Sequence, residues 1–460
     1  MGGLLAARVL SGHFGRVTVL ERDALPEGPE FRGGVPQARH LHSLATRGSE
    51  ILEELFPGLD GELADDGGPL LDQTADTVTE FPSGRLPRFR SGITMRAVTR
   101  SRLEWRIRRR VEARSGVRFV SRVEVTGLLA GRGAVTGVRL RPRGAGAEPE
   151  ELGADLVVDA SGGGSRAPRW LSELGYHPPR ETVVDAGLGY ASRWYRVPED
   201  FAGDWKALAV LPSWPNNPRG GTLRQVEGGR WTAVLTGSGG DYPPTQSEKF
   251  VEFARSLPSP LIYDAIRDAE PLSPAYGYRR TANRRLHYED AKLPERFLVL
   301  GDAATMLNPS YGSGMTAAAL ACEALDACLS ERRNRRPRSL RGLSRRFHRR
   351  QVRAVAPCWT TTVSNDAQWS ASGVEDLDPT RRLAHRVSEE VMELAVESPD
   401  TVKTMFEVKN VLKHPTALLR PGILLPALWR TAVPGSRPLA SKRRRQRSPV
   451  KHPRPGHTGI

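Results

Sequence analysis

The chain has 460 residues, 38% of them hydrophobic, which is enough for two or three domains with their own cores and too many for a disordered polymer. Its formal charge of +16 comes from two segments: eleven arginines and no acid at 332–353, and eight Lys or Arg and no acid at 436–460, so the rest sums to −3 and does not have the charge of a nucleic-acid binder. No run of about 18 uncharged apolar residues exists, which excludes a spanning helix. The N-terminus lacks the order of a secretory signal. Three cysteines (Cys322, Cys328, Cys358) without a Cys-x-x-Cys pair predict neither a disulfide scaffold nor a zinc site, and a reducing cytoplasm.

Residues 3–12 predict a helix, with Leu5 and Val9 one turn apart and Gly12 placed to stop it. The β-branched run at 16–21 predicts a buried parallel strand, and the Gly-, Pro- and Arg-rich stretch 22–42 a long loop. A helix follows at 44–55, ended by Pro57 and Gly58. Residues 101–113 predict an amphipathic helix, with Leu103, Ile107 and Val111 on one face and Glu104 paired to Arg108. Strands are expected at 117–120, 124–130, 135–140 and 154–158, the last opening onto Asp159-Ala-Ser-Gly. Alternating runs at 189–197, 207–211 and 231–235, the first and last bearing tryptophan, predict an antiparallel sheet. Another buried strand, 296–300, leads through Gly301-Asp302 into a glycine-rich loop and a helix at 315–330. The remainder is expected to be helical up to Pro434, with Leu340, Leu343 and Phe347 at helical spacing in the arginine run and a basic low-complexity tail after it.

Two constellations carry chemistry. A dinucleotide-binding unit runs strand, Gly-x-Gly-x-x-Gly, helix, strand, then an acid about 20 residues on. Helix, second strand and acid (Glu21) are present, and Gly3 stands where the third glycine belongs. The first strand and first two glycines are expected upstream of Met1. In the second, a buried strand delivers Asp302, whose carboxylate can accept hydrogen bonds from a polyol. Pro309 stiffens the loop, Gly312 and Gly314 permit close approach to a planar ring, and the helix starting at Met315 directs its N-terminal amides there. His40 and His42 can face one way in an extended loop but lack the further ligands a metal needs, so no metal site is expected.

These segments resemble the FAD-dependent monooxygenase and oxidoreductase superfamily with the para-hydroxybenzoate hydroxylase fold, over roughly residues 1–330. The resemblance rests on Gly3-Leu-Leu-Ala-Ala-Arg with Val-Thr-Val-Leu-Glu21-Arg22, on Arg32-Gly-Gly-Val-Pro-Gln-Ala-Arg39-His-Leu-His42, on Thr99-Arg100-Ser-Arg-Leu103, on Asp155-Leu-Val-Val-Asp-Ala-Ser-Gly162, and on residues 301–315. It implies an α/β fold, with a Rossmann-like FAD-binding domain at 1–75, 96–175 and 291–330. A substrate-binding β-sheet domain is implied at 76–95 and 176–290, with a helical region at 331–434 and a basic disordered tail at 435–460.

The resemblance further implies that Glu21 meets the adenosine ribose, Arg100 the pyrophosphate and Asp302 the ribityl or pyrophosphate part. Gly3, Arg22, Arg39, Val125, Pro309, Gly312, Gly314 and Met315 complete the cofactor contacts. FAD reduced by NADH or NADPH would react with O2 to a flavin hydroperoxide that hydroxylates or epoxidises an aromatic, polyketide or isoprenoid-like small molecule. Where relatives carry Asp-Gly this chain has Ser161-Gly162, and the Trp-x-Trp-x-Ile-Pro string of flavin-dependent halogenases is absent. The alternatives are a reductase or desaturase resembling geranylgeranyl reductases, and a flavin-free remnant or basic interaction protein. No nucleic-acid partner is expected. For the apolar, basic-flanked stretch 418–433, docking on the body or touching a membrane surface are both open, its prolines arguing against one long helix.

Overall fold

The β-branched run Val17–Glu21 pairs in parallel with Val117–Ser121, from Val17 opposite Val117 to Glu21 opposite Ser121. A second parallel pair joins Val157–Asp159 to Phe297–Val299, whose three residues are fully buried. The computed structural model describes residues 1–144, 148–335, 339–370 and 379–432. Between the parallel strands and their helices lies the largest core. Helix Gly2–Leu10 contributes Leu5 and Val9, helix Arg100–Glu112 contributes Ile107 and Val111, and helix Gly314–Arg335 contributes Leu325 and Leu329. The predicted spacings Leu5/Val9 and Ile107/Val111 therefore close on one interior. Cys322, Cys328 and Cys358 are free and buried in it, and burial raises the thiol pKa values.

A seven-stranded sheet stands beside this body, in the order 276–278, 189–196, 230–237, 219–226, 207–210, 77–81, 84–85. It is not antiparallel throughout, as the sequence suggested: Thr77–Phe81 lies parallel to Ala207–Val210. A strand delivered from a segment more than a hundred residues upstream arrives by crossover, not by hairpin. Alternation along the strands gives the sheet two faces. Ala191, Tyr195, Leu223 and Trp231 pack beneath helices Ser247–Arg255 and Leu261–Ile266. Tyr190, Ser192, Trp194 and Arg224 point to the other side, where the 39–43 loop passes.

The C-terminal region is helical at Leu343–Ala367, Pro379–Glu397, Pro399–Lys409 and Pro421–Ala432. Leu340, Leu343 and Phe347 are buried in the main core, so the arginine-bearing helix is anchored by its apolar stripe, and Arg350 pairs with Glu331. The prolines in 418–433 were expected to forbid one helix; Pro421 instead opens helix Pro421–Ala432, and Pro426 lies inside it. Proline at a first turn loses no hydrogen bond, and a short exposed helix tolerates the loss of one. Ile423 and Ala427 of this helix dock on Val391. Among the described residues no helix is long and apolar enough to cross a membrane. The basic tail at 435–460 lies outside the described residues.

Candidate active site

The start of helix Gly2–Leu10 is wedged against the ends of the parallel strands. A Cβ on Gly2 would sit 3.2 Å from Leu300 Cδ2, and one on Gly3 3.7 Å from Ala160 Cβ. The Met1 amine is thereby buried 3.8 Å from Glu104 Oε2. Arg32 bridges three acids, at 2.8 Å from Glu21, 3.2 Å from Asp23 and 2.8 Å from Glu104. Burial opposes the ionised form of Glu104, yet the Met1 amine, Arg100 and Arg32 hold its pKa down to about 2. Arg100 Nη2 lies 3.4 Å from the same carboxylate, while its buried Nε has no partner among the described residues. Beside this group an open cleft is lined by Leu25, Arg32, Ser101, Glu104, Trp105 and Arg108.

Asp302 follows the strand Phe297–Val299 in a single 3-10 turn, Gly301–Ala303. No hydrogen bond to its carboxylate is formed among the described residues. Burial raises its pKa, with Arg100 and the Met1 amine acting in the opposite sense. Helix Gly314–Arg335 begins next to it: a Cβ on Gly314 would stand 3.9 Å from Asp302 Oδ1. Between them Gly312 adopts φ +70°, a left-handed conformation costly to side chains, and Ser43 backs it so closely that a Cβ would meet Ser43 Cβ at 2.8 Å.

The loop before that helix is clamped from the C-terminal region. Asp366, fully buried near the end of helix Leu343–Ala367, accepts hydrogen bonds from Asn283 Nδ2 (2.6 Å), Asn308 Nδ2 (2.9 Å) and Tyr311 Oη (2.7 Å). Asn308 in turn accepts from Ser310 N–H, fixing the turn at Pro309.

His40 and His42 lie on the loop after the 3-10 turn Pro36–Arg39 and turn toward the seven-stranded sheet. His40 shares a 2.8 Å hydrogen bond with Ser192 and meets Tyr190 edge-on, ring centroids 4.8 Å apart. Tyr190 stacks on Tyr278 at 5.3 Å. Burial, aided by Arg39, lowers the His40 pKa to about 4; burial, aided by Arg100, lowers that of His42 to about 3. Both imidazoles are neutral near pH 7, so the wall they form with Tyr190 and Tyr278 is aromatic and uncharged. Arg224 donates to Ser43 Oγ at 3.0 Å and to the His42 carbonyl at 3.3 Å.

Of the residues expected from sequence, Gly3, Arg100, Asp302 and Gly314 converge, and Glu21 joins them through Arg32 and Glu104. Pro309, Gly312 and the buried Met315 form the adjoining loop. Arg22 stands exposed next to Glu21. Arg39 is set apart, its guanidinium 4.8 Å over Tyr276. Val125 packs with Leu20 against a separate cluster around Phe297. Asp366 and Arg224 were missed. His287, Glu289 and Asp290 bring potential ligand atoms within 4.8 Å, but His287 is engaged by Thr182 and Glu289 by Arg285.

An orphaned arginine nitrogen and an unpartnered, half-buried carboxylate beside a helix N-terminus fit the anionic and polyol parts of a dinucleotide. Fold and site define an α/β flavoprotein with FAD as its cofactor. No protein-family model matches the chain. It is 31% identical to protein Rv3254 of Mycobacterium tuberculosis over 409 residues, 87% of this chain and 85% of that protein. It is 27% identical to kynurenine 3-monooxygenase of Salinispora tropica over 346 residues, 72% and 71% of the two chains. The fold is similar to that of the flavin-dependent brominase Bmp2 (TM-score 0.62, 14% identity, 94% of each chain). It is also similar to that of PqsL, a probable FAD-dependent monooxygenase from Pseudomonas aeruginosa (TM-score 0.59, 15% identity, 80% of this chain and 95% of that one). The chain belongs to one family with protein Rv3254, within the superfamily of FAD-dependent monooxygenases and oxidoreductases with the para-hydroxybenzoate hydroxylase fold.

Proposed function

We propose that the protein is an NADH- or NADPH-consuming monooxygenase that hydroxylates or epoxidises an organic small molecule held between the 309–315 loop and the seven-stranded sheet. The observation that carries this reading is the convergence of Asp302, Arg100 and the start of helix Gly314–Arg335 beside the loop that bends at Gly312. Bound FAD would supply electron transfer from the nicotinamide to O2. Asp302 would accept from ribityl hydroxyls, Arg100 would meet the diphosphate, and Glu21 with Arg22 the adenosine ribose. Gly3 allows close approach at the start of its helix. Pro309, Gly312, Gly314 and Met315 would lie along the ring, where helix-end amides favour negative charge in the reduced state. The aromatic wall of Tyr190, Tyr278 and His40 excludes water from the substrate side.

The test is flavin content and oxygen uptake. The purified protein should retain FAD, and Asp302→Ala and Arg100→Ala should each lose most of it while remaining folded. Substrate should stimulate NADH or NADPH oxidation with matching O2 consumption. Oxidation coupled to substrate without O2 uptake would replace the monooxygenase with a reductase, and a protein that never takes up FAD would end the proposal.

A further inference from the structure

Glu227 is a carboxylate enclosed where an acid is ordinarily in water. It opens the tight turn 227–229 between strands Arg219–Val226 and Arg230–Gly237, and the two glycines that complete the turn, Gly228 and Gly229, take φ +77° and +62°. Such turns lie at the surface, and glutamates are rarely enclosed unless paired. Glu227 is nevertheless 2% exposed, because this tip of the seven-stranded sheet abuts the start of helix Arg100–Glu112 in the main body. Arg230, on its own hairpin, stands off at 3.4 Å.

Both oxygens of the carboxylate are engaged by one residue. Thr99 N–H donates to Oε2 at 2.9 Å, and Thr99 Oγ1 donates to Oε1 at 2.6 Å. Thr99 is the N-cap of helix Arg100–Glu112. With its proton directed to Glu227, the hydroxyl oxygen is turned to accept from Arg102 N–H, at 3.3 Å. The residue between is Arg100. Its guanidinium has a 3.4 Å contact with Glu104 Oε2 and a buried Nε without a partner. A side chain so lightly held at its tip is aimed from its root, and that root follows the cap. The clamp also reaches the substrate side of the sheet. Arg230 lies 5.0 Å over the Trp194 ring, whose Nε1 donates to the Arg39 carbonyl at 3.1 Å, on the strand that presents Tyr190 and Ser192.

We infer that Glu227 is a positioning residue for Arg100: through this carboxylate the sheet holds the helix cap that aims the guanidinium at the diphosphate of the cofactor. What Arg100 meets rests on the flavin reading, while the clamp rests on the hydrogen bonds to Thr99. Glutamine at 227 offers one acceptor oxygen to two donors and sets its NH2 group against the other.

Flavin-fluorescence titration of the full chain stripped of flavin tests it. Glu227→Gln should weaken FAD binding roughly tenfold in the parent chain and less than about twofold when Arg100→Gln is already present, because the two act through one contact. Riboflavin, which has no diphosphate, should bind Glu227→Gln within about twofold of the parent. Thr99→Val should reproduce the loss from the other side of the clamp, Thr99→Ser should retain FAD, and thermal melts should show each variant folded. Without flavin, backbone amides at 99–103 should exchange hydrogen faster in Glu227→Gln. An equal loss in both Arg100 backgrounds, an equal loss for riboflavin, or unchanged exchange at 99–103 would make Glu227 a structural residue only and overturn the inference. A parent chain that takes up no FAD ends the flavin reading and this inference with it. A parent that binds FAD no tighter than Glu227→Gln does ends this inference alone.

Discussion

Asp366 concentrates three donors on one carboxylate, and two of them, Asn308 and Tyr311, belong to the loop that presents Gly312. Asp366→Asn would keep the shape but replace an acceptor oxygen with an NH2 group facing another donor. That should cost about 2 kcal/mol of stability in urea denaturation. It should also shift the visible spectrum of bound flavin, because the loop moves; Asp366→Ala should do the same more severely. An unchanged flavin spectrum with lowered stability would make the clamp structural only. Asp302 was legible in the sequence and Asp366 was not, for a physical reason. Asp302 is framed by a buried strand, a proline, Gly-x-Gly and a helix, all between residues 296 and 315. Asp366 and Arg224 owe their character to partners far off in the chain: Asn308 is 58 residues from Asp366, and Ser43 is 181 from Arg224. No local pattern announces a charge whose meaning depends on what is missing around it.

Among the elements, those with a strong local period were legible. The helices at 3–12 and 101–113 and the strands at 16–21 and 296–300 form within one or two residues of expectation. The parallel arrival of Thr77–Phe81 and the continuation of a helix through Pro426 were not, since both are decided by tertiary partners. Helix Leu343–Ala367 shows what such partners do. His348 Nε2 accepts from Val299 N–H at 3.1 Å, and Gln351 Nε2 donates to the Val299 carbonyl at 3.2 Å, closing the free edge of strand Phe297–Val299. His348 Nδ1 lies 2.8 Å from the Ser344 carbonyl, which requires the proton on Nδ1 and leaves Nε2 as acceptor. Burial lowers its pKa to about 4 from 6.5, although the Ser344 carbonyl favours the charged ring. The unfolded chain therefore binds a proton that the folded one refuses. Stability from this residue is complete above pH 6.5 and lost as the pH falls toward 4, on the order of 3 kcal/mol in total. His40 and His42 act in the same sense. His348→Gln, which cannot titrate, should flatten the loss of melting temperature over that window by about one proton relative to the parent chain. An unaltered slope would show that His348 does not contribute to it.

For the molecule as a whole, the charge and the apolar surface of the C-terminal region belong to one question. Helix Pro421–Ala432 buries Ile423 and Ala427 on one side, while Leu425, Leu428 and Trp429 stand on the other, Leu425 and Trp429 being 61% and 64% exposed. Leu419, just before the helix, is 58% exposed. The basic groups flanking the helix are paired, Arg420 with Asp400 and Arg430 with Glu397, so the patch itself has little net attraction for anions. The sequence that follows has eight Lys or Arg and no acid at 436–460. A tryptophan-bearing apolar face and a polybasic segment are the two weak signals that together hold a protein at an anionic bilayer, neither sufficing alone. The docking seen at Ile423 therefore leaves the membrane expectation open on the opposite face. The protein should sediment with vesicles containing phosphatidylglycerol at low salt and come off as salt screens the tail, while phosphatidylcholine vesicles retain little of it. Leu425→Ser with Trp429→Ser should reduce binding at every salt concentration, and deletion of 436–460 should remove the salt dependence. Binding indifferent to lipid charge, or a dimer that hides Trp429 in solution, would assign the patch to another surface.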